Sequence, residues 1–119
     1  MTLLTYKEKY NFETRLKRAI SIQLKYPDRM PIIIERAKSD KLLPSLPKSQ
    51  YLICPEDTAA DLLLTIRHHL KLRNEQAIYL IVNGDTIPSA STPLRQLYDT
   101  KKDDDNFLYV VYMTESVFG

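Results

Sequence analysis

The sequence predicts an α+β domain in which a layer of helices packs on a mixed β-sheet. The predicted elements follow the order helix, strand, strand, helix, strand, short helix, strand, which suits a layer of helices on a sheet. The chain has 119 residues, of which 44% are hydrophobic and 27% charged. This size and composition fit one globular domain that can bury a core without disulfides or metal ions.

Two helical segments are predicted before residue 27. Residues 6–10 can form a short helical turn, and Asn11 is a suitable N-cap for a second helix over residues 12–25, which Pro27 ends. Ile22 lies outside the apolar arc of that helix, on the side of Arg15 and Arg18. The pattern leaves open whether Ile22 is an exposed binding surface for a partner or packs on a neighbouring loop. The apolar arc, which makes the helix amphipathic, comprises Phe12, Leu16, Ala19, Ile20 and Leu24.

The remaining elements follow from short apolar runs and their boundaries. Strands are predicted over residues 30–34, 51–54, 77–82 and 108–113, with a long irregular connection over residues 36–49. A capping box at Thr58 and Asp61 opens a helix, and Asn83-Gly84 indicates a tight turn. Thr92-Pro93 predicts a short helix over residues 93–98. The apolar face of the helix after Thr58 comprises Ala59, Leu63, Ile66 and Leu70.

This order of elements favours one small fold in particular. The ubiquitin-like β-grasp is the commonest small fold whose core has this order, and two extra helices would precede it. We therefore expect an N-terminal helical extension over residues 1–28, a β-grasp core over residues 29–113 and a flexible tail over residues 114–119. A fold analogy of this kind fixes no function.

Composition excludes several classes of function. Gly84 and Gly119 are the only glycines, so a glycine-rich phosphate loop is absent. Cys54 is the only cysteine, which excludes an internal disulfide and fits a reducing compartment. No apolar run is long enough to cross a membrane or to serve as a secretory signal, so we expect a cytoplasmic protein. Residues 1–29 carry seven basic and three acidic side chains, a net +4 that suits acidic peptides, an anionic membrane or a merely solvated face.

The last residues of the sequence are Phe118 and Gly119. Ubiquitin-like modifiers activate a terminal carboxylate as an acyl-adenylate, pass it to an enzyme thiol and then acylate an amine. A glycine has no side chain to crowd these attacks. Together with a β-grasp core, this ending favours a modifier.

Five stretches make the resemblance to a known family specific. They lie at similar spacing over nearly the whole chain, and the two N-terminal helices separate the family from plain ubiquitin. The chain resembles the autophagy ubiquitin-like modifiers, the family of yeast autophagy-related protein eight and animal GABARAP. The stretches are YNFETR (10–15), YPDRMPII (26–33), YLI (51–53), AIYLIVN (77–83) and DNFLYVVY (105–112), followed by Phe118-Gly119.

The resemblance implies a non-enzymatic protein that is joined through Gly119 to phosphatidylethanolamine and then resides on autophagosome membranes. Phe118 would aid recognition by the conjugating enzymes and by a cysteine protease for processing or delipidation, and an activating enzyme is a further expected partner. The sequence is compatible with an encoded terminal glycine or with one exposed by that protease. No metal, cofactor or nucleic acid is expected.

The resemblance also implies binding of cargo receptors and adaptors through aromatic-x-x-aliphatic peptides, which add a strand beside the second strand. Edge pairing would run from Gln50 to Leu52, and Arg29, Lys48 and Arg67 would attract acidic flanking residues. Taken individually, Leu52, Ile66 and Phe107 are expected to be core. The aromatic pocket would comprise Ile22, Pro31, Ile33, Leu52 and Phe107. The aliphatic pocket would comprise Tyr51, Ile53, Cys54, Leu62 and Ile66.

Some positions depart from the family pattern. Gln50 stands where relatives usually have lysine, Cys54 where they have proline, and Arg18 where some have an acid, while Arg67-His68-His69 replaces a more uniformly basic run. These differences imply a preference for different peptides.

Four other functions were weighed against this one. A thiol–imidazole pair of Cys54 with His68 or His69 lacks an activating pattern. A zinc site from the two histidines and Asp61 lacks ligand spacing, because adjacent helical residues diverge. Nucleic-acid binding by the basic N-terminus and its tyrosines lacks a recognition motif. The serious alternative is a ubiquitin-like docking adaptor that is never conjugated.

Overall fold

The structure is a computed structural model that describes residues 4–115. It contains a four-stranded sheet of order β2-β1-β4-β3. Strand β1 pairs antiparallel with β2 and parallel with β4, and β3 pairs antiparallel with β4. The elements are α1 (Tyr6–Lys9), α2 (Phe12–Lys25), β1 (Met30–Arg36), β2 (Gln50–Ile53), α3 (Ala59–Leu70), β3 (Ile78–Val82), α4 (Leu94–Lys101) and β4 (Leu108–Thr114). This α+β arrangement is the predicted ubiquitin-like fold with two N-terminal helices.

Local sequence signals set most helix ends as predicted. The Asn11 side chain accepts a hydrogen bond from the Thr14 amide, and the Thr58 capping box forms in full. The predicted turn is also present, because Asn83 and Gly84 both have positive φ.

The last helix begins differently from the prediction. It runs from Leu94 to Lys101, and its N-cap is Pro93, which makes no side-chain capping bond. The first free amides are satisfied from outside the helix instead, because Leu94 and Arg95 donate to the carbonyls of Asp57 and Pro55. A long-range contact therefore fixes this end, and local sequence could not show it.

Alternation along the strands divides the sheet into two unequal faces. Side chains at even positions of β1, β3 and β4 join α3 and α4 in a core of 17 buried residues. The opposite face, under α1 and α2, carries a smaller apolar cluster of four buried residues, Tyr6, Ala19, Ile33 and Phe107. The larger hydrophobic core of the domain therefore lies between the sheet and helices α3 and α4.

The predicted apolar arc of α2 is largely wrong. Ala19 is buried, but Ile20 and Leu24 are 41% and 79% exposed and Phe12 is also exposed. Ile22, which the pattern placed beside the arc, packs against the buried cluster under α1 and α2. The helix is therefore rotated relative to its apolar arc, for a reason that the site makes clear.

Candidate peptide-binding site at the edge of the sheet

Strand β2 forms one open edge of the sheet. The Ile34 amide donates to the Ser49 carbonyl, and bonded pairs alternate along an antiparallel ladder. Tyr51 and Ile53 therefore turn their backbone groups toward β1, whereas Gln50 and Leu52 turn theirs away from the sheet. Those outward groups are positioned to pair with an added strand.

The side of β2 that faces α2 carries the residues predicted for an aromatic pocket. Pro31, Ile33 and Phe107 are buried, and Ile33 and Phe107 belong to the cluster against which Ile22 packs. Ile22 is half-buried, and Leu52 is 39% exposed, so the expectation that Leu52 is core is wrong. A cleft of about 300 Å³ opens between α2 and β2, lined by Ile22 and Gln50 among others. Of the predicted aromatic-pocket residues, Ile22 lines this cleft, while Pro31 and Leu52 are paired across β1 and β2.

The side of β2 that faces α3 carries the residues predicted for an aliphatic pocket. Leu62 and Ile66 are buried in the main core, and Tyr51 and Ile53 pack against that core from the edge strand. Cys54 follows β2 and is partly exposed. This side is thus a shallow apolar surface, and the residues beneath it belong to the main hydrophobic core.

The predicted charged contacts have different surroundings. Arg29 is exposed, and the Lys48 ammonium lies 5.2 Å from the centre of the Tyr51 ring. The Arg67 guanidinium donates to the carbonyls of Gln76 and Arg73. Arg67 therefore stabilises the loop before β3, and its guanidinium has fewer donors available for a peptide than that of a solvent-exposed arginine.

The side chains weighed for catalysis or metal binding have other partners. The Cys54 thiol donates to the Glu56 carboxylate at 2.9 Å, and the Nδ1 atom of His69 lies 2.9 Å from the Thr65 carbonyl oxygen. Over residues 4–115, no group of three or more His, Cys, Asp or Glu side chains is placed to hold a metal ion.

A buried acid anchors α2 above the sheet, and sequence analysis missed it. Asp105 is fully buried and accepts hydrogen bonds from the Arg15 guanidinium at 2.6 Å, the Tyr109 hydroxyl and the Phe107 amide. Burial, together with the bond to Asp105, raises the pKa of Tyr109. Because Arg15 must reach Asp105, α2 turns Arg15, Ala19 and Ile22 inward. The run of acids at 103–105 opposite Arg15 was the available signal.

The predicted conjugation residues, Phe118 and Gly119, lie outside the described residues. Strand β4 extends to Thr114, one residue beyond the predicted boundary. The Thr114 amide donates to Asp40 and the Glu115 amide to the Ala77 carbonyl. The chain is therefore fixed to the sheet up to Glu115. No helix within residues 4–115 is long and apolar enough to cross a membrane.

A comparison with known protein families matches most of the chain. The model of a family described as autophagy protein Atg8, ubiquitin like, matches residues 14–119. The match covers the edge strand, both pocket faces and the C-terminal glycine, and it leaves out only the first thirteen residues.

Proposed function

This chain belongs to the family of Atg8 ubiquitin-like autophagy proteins, and from that premise we propose that it is a modifier conjugated through Gly119 to phosphatidylethanolamine. In this proposal the protein is cytoplasmic until lipidated and then resides on autophagosome membranes. There it recruits cargo receptors and adaptors that carry aromatic-x-x-aliphatic peptides. It is not an enzyme and binds no nucleic acid.

The open edge of β2, with an apolar pocket on each side, carries the peptide-binding part of the proposal. Successive side chains of a strand point to opposite faces, so two residues three apart project on opposite sides. An added strand with an aromatic residue and an aliphatic residue at this spacing can fill the Ile22–Leu52 side and the Tyr51–Ile53 side together. Backbone bonds to Gln50 and Leu52 would supply affinity, and the two pockets specificity.

Calorimetric titration with a synthetic peptide tests peptide binding. Leu52→Ala removes exposed apolar surface from one pocket and should weaken binding about tenfold. Leu42→Ala, at an exposed leucine in the loop between β1 and β2, is the matched control and should have no effect. A peptide with one extra residue between its two anchors puts both side chains on one face and should bind poorly. Equal affinity for both peptide spacings would contradict the two-sided groove.

The conjugation part of the proposal is supported by the family and by the chemistry of glycine. The chain is bonded to the sheet through Glu115, and three residues separate this anchor from Gly119 in the sequence. An unhindered carboxylate is needed for acyl transfer. The activating enzymes, conjugating enzymes and cysteine protease of the autophagy system are the proposed partners for this chemistry.

Reconstitution tests conjugation. The protein is incubated with activating and conjugating enzymes of the family, ATP and liposomes that contain phosphatidylethanolamine. We expect a lipid adduct at Gly119, detected by mass spectrometry, and its loss in Gly119→Ala, whose peptide binding and thermal unfolding stay unchanged. No adduct from the wild-type protein, with peptide binding intact, would favour the unconjugated docking adaptor.

A further inference from the structure

A second opening lies at the end of the sheet where β1 begins and β2 has ended. It is a cavity of about 220 Å³ enclosed by the C-terminal end of α2, the start of β1, Pro55 and α4. Arg29, from the loop before β1, and Arg95, from α4, both line it. Two guanidinium groups from separate parts of the chain therefore share one concave site.

The other polar groups of this cavity are largely satisfied. The Tyr98 hydroxyl donates to the Asn106 carbonyl at 2.6 Å and accepts from the Gln23 side chain at 2.8 Å. Arg29 has no carboxylate of residues 4–115 within 4.0 Å. Among the carboxylates of the described residues, Arg95 pairs only with Glu56, at 3.8 Å, and the two side chains are 61% and 74% exposed. Such a pair is weak, so both guanidiniums keep donors available for a ligand.

The Glu56 carboxylate lies close enough to both arginines to feel their charges. Its pKa is lowered, first by the hydrogen bond from the Cys54 thiol and also by the charges of Arg95 and Arg29. Asp99 lines the cavity as well, which reduces its net positive charge. A ligand must therefore compete with Glu56, and short-range hydrogen bonds to guanidinium, rather than long-range attraction, would hold it.

The cavity continues from the peptide groove in a defined direction. The aromatic pocket opens beside Gln50, at the start of β2, whereas the aliphatic side includes Ile53 and Cys54, at its end. A peptide that fills them in the order aromatic, aliphatic therefore runs parallel to β2. Met30, in the cavity wall, pairs with Ile53. At about 3.3 Å per residue, the residues two to four places after the aliphatic anchor reach the arginines.

We propose that Arg29 and Arg95 bind an anionic side chain, a carboxylate or a phosphate, that follows the aliphatic anchor of the docked peptide, and that Glu56 occupies the site until it is displaced. The site rests on the proposed peptide binding and deepens it, since it sets which peptides this chain prefers. Arg95 is a residue that the sequence analysis did not single out.

Fluorescence anisotropy with three peptides tests this site. The peptides share the aromatic-x-x-aliphatic core and differ only in the next four residues, which contain serines, glutamates or phosphoserines. We expect about tenfold tighter binding of at least one anionic peptide over the serine peptide. Arg95→Gln should remove most of that gain, and Glu56→Gln should increase it. Arg73→Gln, at an exposed arginine paired with Glu75, is the control and should change nothing.

The outcomes separate this inference from the proposed function. If the wild-type protein binds the serine peptide but gains nothing from either anion, the anion site is wrong and the groove stands. If no peptide binds, the proposed function itself fails, and the site fails with it. A gain that survives Arg95→Gln would also overturn the proposal. A gain from only one of the two anions supports the site and identifies its ligand.

Discussion

The two faces of the sheet are held together by different kinds of interaction. Under α3 and α4, 17 buried residues form one apolar cluster. Under α1 and α2, the apolar cluster has four buried residues, and ion pairs link Lys7 to Asp103 and Arg15 to Asp105. Apolar burial is non-directional, whereas a buried ion pair needs defined partners. We infer that the first face supplies stability and the second fixes where α2 lies, and hence the shape of the aromatic pocket.

The largest expected effect comes from the apolar face. Leu94 is fully buried in the larger cluster, and Leu94→Ala leaves a cavity there that should cost about 2–5 kcal/mol. Chemical denaturation should show one cooperative transition at lower denaturant, with every element destabilised together. Protection from hydrogen exchange that falls only in α4 would contradict a single core.

The next effect should be confined to the other face. Asp105→Asn removes the charge that compensates Arg15, and breaking a buried pair in this way costs about 3 kcal/mol or somewhat more in comparable proteins. Because Arg15 also lies 3.9 Å from Asp103, we expect a smaller loss, of roughly 2 kcal/mol. Hydrogen exchange should accelerate in α1 and α2 and stay slow in α3 and β3.

Asp104→Asn is the matched control for this prediction. Asp104 is exposed and adjacent in sequence, and it makes no side-chain bond within the described residues. Its substitution should leave exchange unchanged. Uniform acceleration over the whole domain in Asp105→Asn would show that the two faces are one cooperative unit.

The same contrast explains what the sequence could predict. The strands and α3 follow apolar runs and capping residues, which are local signals, and they form where expected. The orientation of α2 depends on Arg15 reaching an acid 90 residues away, and no periodicity within the helix records that distance. Ile20 and Leu24 are consequently exposed although the arc predicted them inside.

The candidate site divides in the same way. The edge position of Gln50 and Leu52 followed from the family resemblance and agrees with the strand register. The cavity between Arg29 and Arg95 depends on how α4 meets the end of β2, through the Arg95 amide and the Pro55 carbonyl. This hydrogen bond is a tertiary contact between distant parts of the chain, so the local sequence around Arg95 could not identify it as a site residue.

The buried Asp40 provides a third prediction, which concerns how the stability of the domain depends on pH. Burial alone would raise the pKa of Asp40, but hydrogen bonds from Thr114, Leu42 and Leu43 lower it to about 2 from 3.8. A lowered folded-state pKa gives stability that is present above pH 4 and is lost as pH falls toward 2. The shift corresponds to roughly 2 kcal/mol. Asp40→Asn should be less stable at pH 6 and should lack this loss between pH 4 and 2; an unchanged acid profile would contradict the role of Asp40.

The smallest effect should come from an exposed ion pair on the α1–α2 face. The Lys7 ammonium lies 2.6 Å from the Asp103 carboxylate, and the two side chains are 46% and 20% exposed. Water competes for both charges, so Lys7→Gln should cost less than about 1 kcal/mol. Salt screens exposed pairs far more than buried ones, so this cost should fade between 0.1 and ~1 M sodium chloride, at which the Debye length is about 3 Å. The cost of Asp105→Asn should persist over the same range. If both costs vanished together in salt, α2 would be held by general electrostatic attraction, and the buried Arg15–Asp105 pair would lose its special role in shaping the pocket.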